Sequence, residues 1–276
     1  MPRIDAHQHF WIFDPIRDTW ITDEMSLLRK DFLPSQFHAL LQQNAFDGCI
    51  TVQSDQSEDE NIFQLANGEG YDFIKGIVGW VDFQAKNIHE KLSYYTQFKK
   101  LKGFRHILQG EIQRDLMLQP EFLRGINALN EFNYTYDILV YPDQLRFIKQ
   151  FVAQFPQQRF VIDHLAKPYI KDGKIDDWKK DIESVAAYKN VFCKISGYIT
   201  EADWNNWKKE DFIPYFDIVV NAFHVERIMF GSDWPVCLLG GNYEEVLNVV
   251  REYFSCFTQN EQDKFFGDNA IKFYNL

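Results

Sequence analysis

Two histidines separated by one residue, His7 and His9, stand at the end of a short apolar segment near the start of the chain. Side chains two positions apart on a strand point to the same side, so both imidazoles are expected to face one space. Converging imidazoles can hold a metal ion, polarise a carbonyl group or exchange a proton with a third group. A packed pair of histidines fits the pattern equally well, so its meaning depends on what the rest of the chain adds.

Two further polar groups follow apolar segments much later in the chain: His164, and Asp233 within the segment 231–235. A carboxylate at the end of a buried strand is costly unless it is compensated, and the histidines are the available partners for Asp233. Asp233 could accept a proton from water while His7, His9 and His164 polarise a carbonyl group and hold its oxygen as negative charge builds there. The same residues could instead bind zinc, which takes three or four nitrogen and oxygen ligands and lowers the pKa of bound water.

Other polar side chains stand near the ends of predicted strands, where a substrate could reach them: Gln53, Asp82, Arg105, His106, Asp137, Tyr141, Asp163 and Lys167. Arg105 and His106 are neighbours, so only one of them can face the axis of a barrel. Each position also has an ordinary explanation: Asp163 could orient a neighbouring group, and Arg105 could form an ion pair of little energetic consequence.

The elements that must position these groups alternate along the chain. Short apolar segments, each followed by a helical pattern, cover residues 3–9, 48–53, 73–82, 101–108, 134–140, 159–164, 191–196 and 227–232. Nearly continuous apolar strands are typical of parallel sheets that are covered on both faces. Ser57 with Glu60, and Thr258 with Glu261, have the spacing of capping boxes at helix starts.

Eight strands alternating with helices fit a (β/α)8 barrel or a doubly wound sheet. A doubly wound nucleotide-binding fold usually carries a glycine-rich turn after its first strand, whereas this chain has His-x-His there and no P-loop pattern. The sequence therefore predicts an α/β protein, a (β/α)8 TIM barrel that forms a single domain over residues 1–276. In such barrels catalytic groups lie at the carboxyl ends of the strands.

The composition limits the compartment and the partners. The chain has 276 residues, of which 46% are hydrophobic, and a net charge of −11, which argues against a nucleic-acid partner. No segment reaches the roughly 20 apolar residues of a membrane span, and no signal-peptide pattern is present. The four cysteines lack C-x-x-C spacing, so we expect free thiols in a reducing, cytoplasmic environment. A homo-oligomer is compatible with the sequence, which does not specify one.

The ordered set of strand-end motifs resembles the amidohydrolase superfamily, in its branch of sugar lactonases of the fuconolactonase and rhamnonolactonase kind. The motifs are DAHQHFW at 5–11, VGWVD at 78–82, GFRH at 103–106, DHLAKP at 163–168 and FGSDWP at 230–235. The ending from 267 to 274 is also similar to the closing helix of the superfamily. The resemblance covers nearly the whole chain and implies the barrel fold, a role in carbohydrate metabolism and hydrolysis of a cyclic ester.

This resemblance implies roles for the residues already named. Asp233 would be the general base, and His7, His9 and His164 would polarise the lactone carbonyl. Binuclear members carry a bridging lysine after the fourth strand and a histidine after the fifth, and both are missing here. A binuclear site is therefore not expected, no metal is expected to be required, and a single divalent ion such as zinc on His7, His9 and Asp233 is left open.

The expected substrate is a small-molecule lactone. Gln53, Trp80, Arg105, Lys167 and Trp234 are predicted to bind its ring. Few cations stand at strand ends, which favours a neutral aldonolactone over a dicarboxylate. Two alternatives stay open: a metal-dependent decarboxylase of the same superfamily, and a non-catalytic sugar-binding barrel.

Overall fold

The computed structural model describes residues 1–276 and contains eight parallel strands that follow one another around a (β/α)8 barrel in chain order. The strands are β1 (Ile4–Gln8), β2 (Gly48–Val52), β3 (Ile74–Gly79), β4 (Leu101–His106), β5 (Thr135–Ile138), β6 (Phe160–Ile162), β7 (Val191–Ile195) and β8 (Ile228–Phe230). The α-helices are α1 (Pro34–Gln43), α2 (Glu58–Gly70), α3 (Ile88–Tyr95), α4 (Pro120–Glu131), α5 (Leu145–Ala153), α6 (Asp176–Ala186), α7 (Lys209–Phe223), α8 (Tyr243–Phe254), α9 (Gln259–Asp263) and α10 (Asn269–Tyr274). The predicted fold class is confirmed, and every strand lies within the segment predicted for it.

The barrel closes between its first and last strands near their carboxyl ends. The backbone N–H of His9 donates to the carbonyl oxygen of Trp234 at 2.7 Å, and that of Asp233 donates to the oxygen of His7 at 2.8 Å. These two hydrogen bonds join the segment that carries the first histidines to the segment that carries the aspartate.

The strands are buried on both faces. Outside the barrel, the helices pack on the strands through one core cluster of 67 buried residues. Inside, a second cluster fills the amino-terminal end of the barrel, where Ala270, Phe273 and Tyr274 of α10 pack against Ile4 and Ile50. The closing helix therefore plugs the bottom of the barrel and leaves the carboxyl ends of the strands to form the site.

Other sequence predictions have clear outcomes. Thr258 and Glu261 form the expected capping box at the start of α9. At the start of α2 only half of the predicted box forms: the Ser57 hydroxyl accepts from the backbone N–H of Glu60, but the Glu60 carboxylate accepts from the backbone N–H of Ser54 and not from that of Ser57. None of the four cysteines is in a disulfide. No helix combines the length and the apolarity needed to cross a membrane.

Candidate active site

A bulge in β1 positions the first two histidines. Asp5 pairs with Cys49 and Gln8 with Thr51, so β1 holds one more residue than β2 over this stretch. Such a bulge redirects the side chains that follow it. His7 consequently enters the barrel, and its Nε2 atom lies 3.2 Å from Nε2 of His9. The two imidazoles therefore share one space.

Three imidazoles converge on one carboxylate oxygen. Oδ1 of Asp233 lies 3.3 Å from Nε2 of His9, 3.8 Å from Nε2 of His7 and 3.9 Å from Nε2 of His164. All four side chains are buried. The four residues that the sequence singled out for water activation thus meet at a single point, although they come from opposite ends of the chain.

In His9 and His164 the ring nitrogen that points away from Asp233, Nδ1, has a hydrogen-bond partner of its own. Nδ1 of His9 lies 2.8 Å from the carbonyl oxygen of Val52, and Nδ1 of His164 lies 2.9 Å from Oγ of Ser196. A carbonyl oxygen can only accept, so Nδ1 of His9 must carry a proton. In the neutral ring, Nε2 of His9 therefore turns a lone pair towards Asp233.

His164 and Lys167 are placed by an unusual left-handed turn. The four residues from His164 to Lys167 all have positive φ, between 51° and 56°. This conformation costs about 1–2 kcal/mol per non-glycine residue, so surrounding contacts must stabilise it. The indole N–H of Trp178 donates to the Leu165 carbonyl at 2.7 Å, and the Leu165 and Ala166 side chains are fully buried. The turn brings the imidazole and the ammonium group to the same cavity.

Gly197 makes room for the His164 ring. Its φ is +60°, and a Cβ atom added there would lie 2.5 Å from Nδ1 of His164. Both the backbone conformation and the close approach require glycine at this position.

A buried group of charges, which we call the lower ion cluster (Arg105, Asp137, Asp163 and Lys194), lies inside the barrel. Oδ2 of Asp163 accepts from Nη1 of Arg105 at 3.0 Å, and its Oδ1 lies 3.2 Å from Nδ1 of His7. Nζ of Lys194 lies 3.0 Å from the same Oδ1 and donates to Oδ2 of Asp137 at 2.5 Å. Through Asp163, this cluster touches the imidazole of His7.

Burial and charge set the protonation states. Burial alone would raise the pKa of Asp233, but His164, His9 and Lys167 more than offset it and hold that pKa below its ordinary value. Burial lowers the pKa of both His7 and His164 well below the usual range. At neutral pH, Asp233 is therefore a carboxylate, and His7 and His164 are uncharged imidazoles.

The lower ion cluster is also ionised. Burial opposes ionisation of Asp163, yet Lys194, His7 and Arg105 together hold its pKa well below the ordinary value. Burial raises the pKa of Asp137 to about 6, with Lys194 acting against this rise. Both carboxyl groups therefore carry charge at neutral pH.

A cavity of about 410 Å³ opens at the carboxyl ends of the strands. His9, Arg105, His164, Lys167 and Asp233 contribute its polar wall. Its other walls are largely aromatic and apolar, and include Trp11, Trp20, Met25, Tyr141, Trp204 and Leu239.

Each cation of the cavity has its own carboxylate. Nζ of Lys167 donates to Oε1 of Glu201 at 2.8 Å, and Arg105 is paired with Asp163. Asp233 is therefore the carboxylate at the site that faces imidazoles rather than a directly paired lysine or arginine.

Three residues predicted to bind the ring, Gln53, Trp80 and Trp234, do not line the cavity, and their role in substrate binding stays a prediction. The Trp234 ring is 4% exposed and stacks on Phe37 at 5.0 Å between ring centres. The Trp80 indole N–H points to Nδ1 of His106 at 3.4 Å, and the Gln53 amide donates to the backbone oxygen of Arg105 at 3.3 Å. Each follows a strand, but its side chain has a partner away from the cavity.

The adjacent pair on β4 divides as the alternation of a strand requires. Arg105 faces the barrel, where its Nη1 lies 3.4 Å from Nε2 of His7. His106 faces outwards, and its Nε2 lies 2.7 Å from Oε1 of Glu111. Arg105 is thus the member of the pair that reaches the cavity.

Sequence reasoning missed Lys194, Ser196 and Glu201. Lys194 lies in the middle of β7, flanked by Cys193 and Ile195, and it is fully buried. The sequence does contain a sign of this site: a lysine inside an otherwise apolar strand indicates a buried charge, and a buried charge must be paired with a carboxylate.

The donor set suits one divalent ion. Nitrogen and oxygen atoms of His7, His164 and Asp233 all lie within 4.8 Å of one another. The sequence had grouped His7, His9 and Asp233, and His9 Nε2 is closer to Asp233 than either other imidazole. A lone pair of His9 facing a carboxylate oxygen is favourable only with a cation or a proton between them, which fits a metal ligand set of imidazoles and one carboxylate.

Comparisons with known proteins identify the family and agree with the fold. The pattern of the family described as Amidohydrolase matches residues 4–276. An L-fucono-1,5-lactonase of Burkholderia multivorans is 35% identical, over 99% of this chain and 96% of the relative. A second L-fucono-1,5-lactonase, from Burkholderia ambifaria, is 30% identical over 99% of this chain and 96% of its own. The crystal structure of a Burkholderia multivorans amidohydrolase with bound zinc superposes with a TM-score of 0.96 at 35% identity, covering 100% of both chains.

Proposed function

This chain belongs to the amidohydrolase family, and we propose that it is a hydrolase that opens the ring ester of a sugar lactone to give the free acid. The observation that carries the proposal is the meeting of an ionised Asp233 with the imidazoles of His9 and His164 at the wall of a cavity of about 410 Å³. The L-fucono-1,5-lactonase relatives support an aldono-1,5-lactone as the substrate.

We further propose that His7, His9, His164 and Asp233 hold one divalent ion such as zinc. The sequence leaves this ion optional, and the distance of 3.3 Å between Nε2 of His9 and Oδ1 of Asp233 supports its presence. When bound, such an ion lowers the pKa of water and polarises the ester carbonyl.

The protein's own groups move the protons. Asp233 orients a water molecule and accepts its proton as the water oxygen attacks the carbonyl carbon of the lactone. The bond between that carbon and the ring oxygen then breaks, and Asp233 returns the proton to the leaving oxygen. The product is an open-chain acid with a new hydroxyl group, and Asp233 is again ionised.

Arg105 supplies fixed positive charge to the tetrahedral intermediate. It lines the cavity, and its Nε–H group is buried without a hydrogen-bond partner. A preorganised donor of this kind stabilises an oxyanion more than it stabilises the neutral carbonyl. Nη1 and Nη2 are held by Asp163 and by the backbone oxygen of Gln53, so the guanidinium group is already oriented.

The charge balance of the cavity supports a neutral substrate. Lys167 is paired with Glu201 and Arg105 with Asp163, so no surplus positive charge is left for a dicarboxylate. Trp11, Trp20 and Trp204 offer apolar faces on which the C–H side of a sugar ring can pack.

Residues 1–276 are proposed to act as one domain, because the site joins β1 to the segment after β8. The four free cysteines support a cytoplasmic location.

The test is a panel of aldonolactones in a pH-indicator assay, run on the wild type and on the Asp233→Asn variant. Acid release from at least one 1,5-lactone by the wild type alone is the expected result. Lack of turnover across the panel, with carbon dioxide released from aromatic acids instead, would replace the hydrolase by a decarboxylase. Binding without turnover of any kind would favour a non-catalytic sugar-binding barrel.

A further inference from the structure

The lysine inside β7 has no route to a substrate. Lys194 is fully buried and does not line the cavity. Its Nζ atom lies 2.5 Å from Oδ2 of Asp137, 3.0 Å from Oδ1 of Asp163 and 3.3 Å from Nδ1 of His7. Whatever Lys194 does for the site must therefore act through those three neighbours.

The three neighbours are the ligand types of a divalent cation. They come from β1, from β5 and from the end of β6, and they offer one imidazole nitrogen and two carboxylates. Imidazole nitrogen and carboxylate oxygen are both zinc ligands, and catalytic zinc sites have three protein ligands. Oδ1 of Asp137 is buried and accepts no hydrogen bond, so this oxygen is free to coordinate a cation. The ammonium group occupies a place that is built to receive positive charge.

The charges of the lower ion cluster cancel only when Lys194 is counted. Arg105 and Lys194 carry two positive charges, and Asp137 and Asp163 carry two negative ones. Removing the ammonium group would leave one uncompensated negative charge inside the barrel, which is strongly unfavourable. Asp233 adds a further negative charge nearby, on the other side of His7.

We propose that Lys194 is a positioning residue that takes the place of a second metal ion: its ammonium group holds Asp163 and His7 in register below the site, so that the centre binds at most one added cation. The kinetic part of this proposal rests on the proposed lactonase function, whereas its metal-counting part does not.

The first experiment counts zinc. Purified wild type and Lys194→Ala are dialysed to equilibrium against zinc chloride, and zinc per chain is measured by atomic emission. Lys194→Ala is expected to bind one more zinc ion per chain than the wild type, because the vacated space keeps His7, Asp137 and Asp163. Lys194→Met is the matched control: it removes the charge, fills the space, and is expected to bind no additional zinc.

A third variant locates the added ion. Lys194→Ala combined with Asp137→Asn should lose the additional zinc. The proposal is overturned if Lys194→Ala binds the same amount of zinc as the wild type, or if the additional zinc persists without the Asp137 carboxylate. Neither readout depends on lactone turnover, so failure of the proposed function would not obscure the result.

A second experiment applies if Lys194→Ala does not fold. Lys194→Met combined with Asp137→Asn removes one charge of each sign and approximately keeps the volume, so the barrel should fold. Loss of a group that orients a ligand typically lowers activity about 10–100-fold. We expect kcat to fall by that factor while KM stays close to the wild-type value, since Lys194 does not touch the cavity. An unchanged kcat in a folded variant would show that Lys194 only fills the barrel, and would overturn the proposal.

Discussion

Nε2 of His9 lies 3.3 Å from Oδ1 of Asp233, and the Val52 carbonyl holds the ring proton of His9 on the opposite nitrogen. These two atoms can lie this close in a buried site only with a proton or a metal ion between them. The proposed zinc ion would supply that positive charge, and the predicted consequence is that metal removal affects activity.

Dialysis against a strong chelator is expected to abolish lactone hydrolysis, and added zinc is expected to restore it. The reason is that the chelator would remove the proposed ion, which His9 and Asp233 would help to hold. Zinc content and turnover are measured on the same samples. Undiminished turnover in protein whose zinc content is near zero would contradict the prediction and leave proton transfer alone to account for the rate.

Asp233→Asn is expected to lower kcat at least about 10²–10⁴-fold, because the amide cannot accept the proton of water. The fold should be retained: Asp233 has a φ of +58°, a conformation that asparagine adopts readily. Initial rates are compared with circular dichroism and thermal melting. Asp172→Asn, at an exposed aspartate paired with Lys174, is the control and should keep wild-type rates. Wild-type turnover by Asp233→Asn would remove this carboxylate from the mechanism.

Trp234→Ala is expected to destabilise the fold by about 3–5 kcal/mol, the usual range for removing a large buried aromatic ring. The ring packs on Phe37 and Phe32 and does not reach the cavity. Urea unfolding measures the loss. Trp204→Ala, which alters the cavity wall, should instead raise KM with a smaller effect on the unfolding midpoint. A normal unfolding midpoint for Trp234→Ala would mean that its ring is not part of the core.

Glu201→Gln is expected to leave Lys167 with an unpaired charge at the cavity wall. The anionic acid product should then bind more tightly, by about 1 kcal/mol or roughly five-fold in its inhibition constant, since partly buried pairs are worth about this much. Product inhibition by the aldonate measures this change. Glu111→Gln, which alters the partner of the outward-facing His106, is the control. Equal inhibition constants for the wild type and Glu201→Gln would show that Lys167 does not meet the new carboxylate.

Glu60→Gln is expected to stabilise the protein at neutral pH and to have little effect in acid. Burial raises the pKa of Glu60, while its Oε1 accepts from the backbone N–H of Ser54 and from the side chain of Gln64. When folding raises the pKa of an acid, the unfolded chain ionises at a lower pH than the folded protein. Between these two pKa values the free energy of unfolding therefore falls as the pH rises. Glutamine keeps an oxygen acceptor and removes this cost.

Thermal melting of the wild type and Glu60→Gln at about pH 4 and about pH 8 tests this, since the ordinary pKa of glutamate lies near the lower value. The gap between the two proteins should open as the pH rises. A gap that is constant with pH would show that folding does not shift the pKa of Glu60, and a gap that is larger in acid would show that folding lowers it; either result contradicts the prediction.

Much of this architecture could be predicted because it depends on local patterns. Apolar segments of strand length predict the correct eight strands, and the rule that barrel chemistry lies at carboxyl strand ends predicts that His7, His9, His164 and Asp233 lie together. Their roles remain predictions, whereas their proximity is a fact of the fold.

The parts that could not be predicted depend on which way a side chain turns after its strand ends. The β1 bulge sends His7 inwards, and the residue after Asp233 turns into the core, so Trp234 packs where a ring contact had been expected. The left-handed turn that ends at Lys167 has no glycine to announce it. Lys194 was missed because the apolar pattern of β7 predicts a strand but does not identify the residues on other strands, Asp137 and Asp163, that pair with the lysine.

The hydrogen bonds that join His9 to Trp234 and Asp233 to His7 place the proposed reacting groups on the seam where the first strand meets the segment after the eighth. A nascent chain carries His7 and His9 from the outset of synthesis, yet it lacks Asp233 until the eighth strand has emerged. The proposed hydrolysis therefore requires the same closure that completes the barrel.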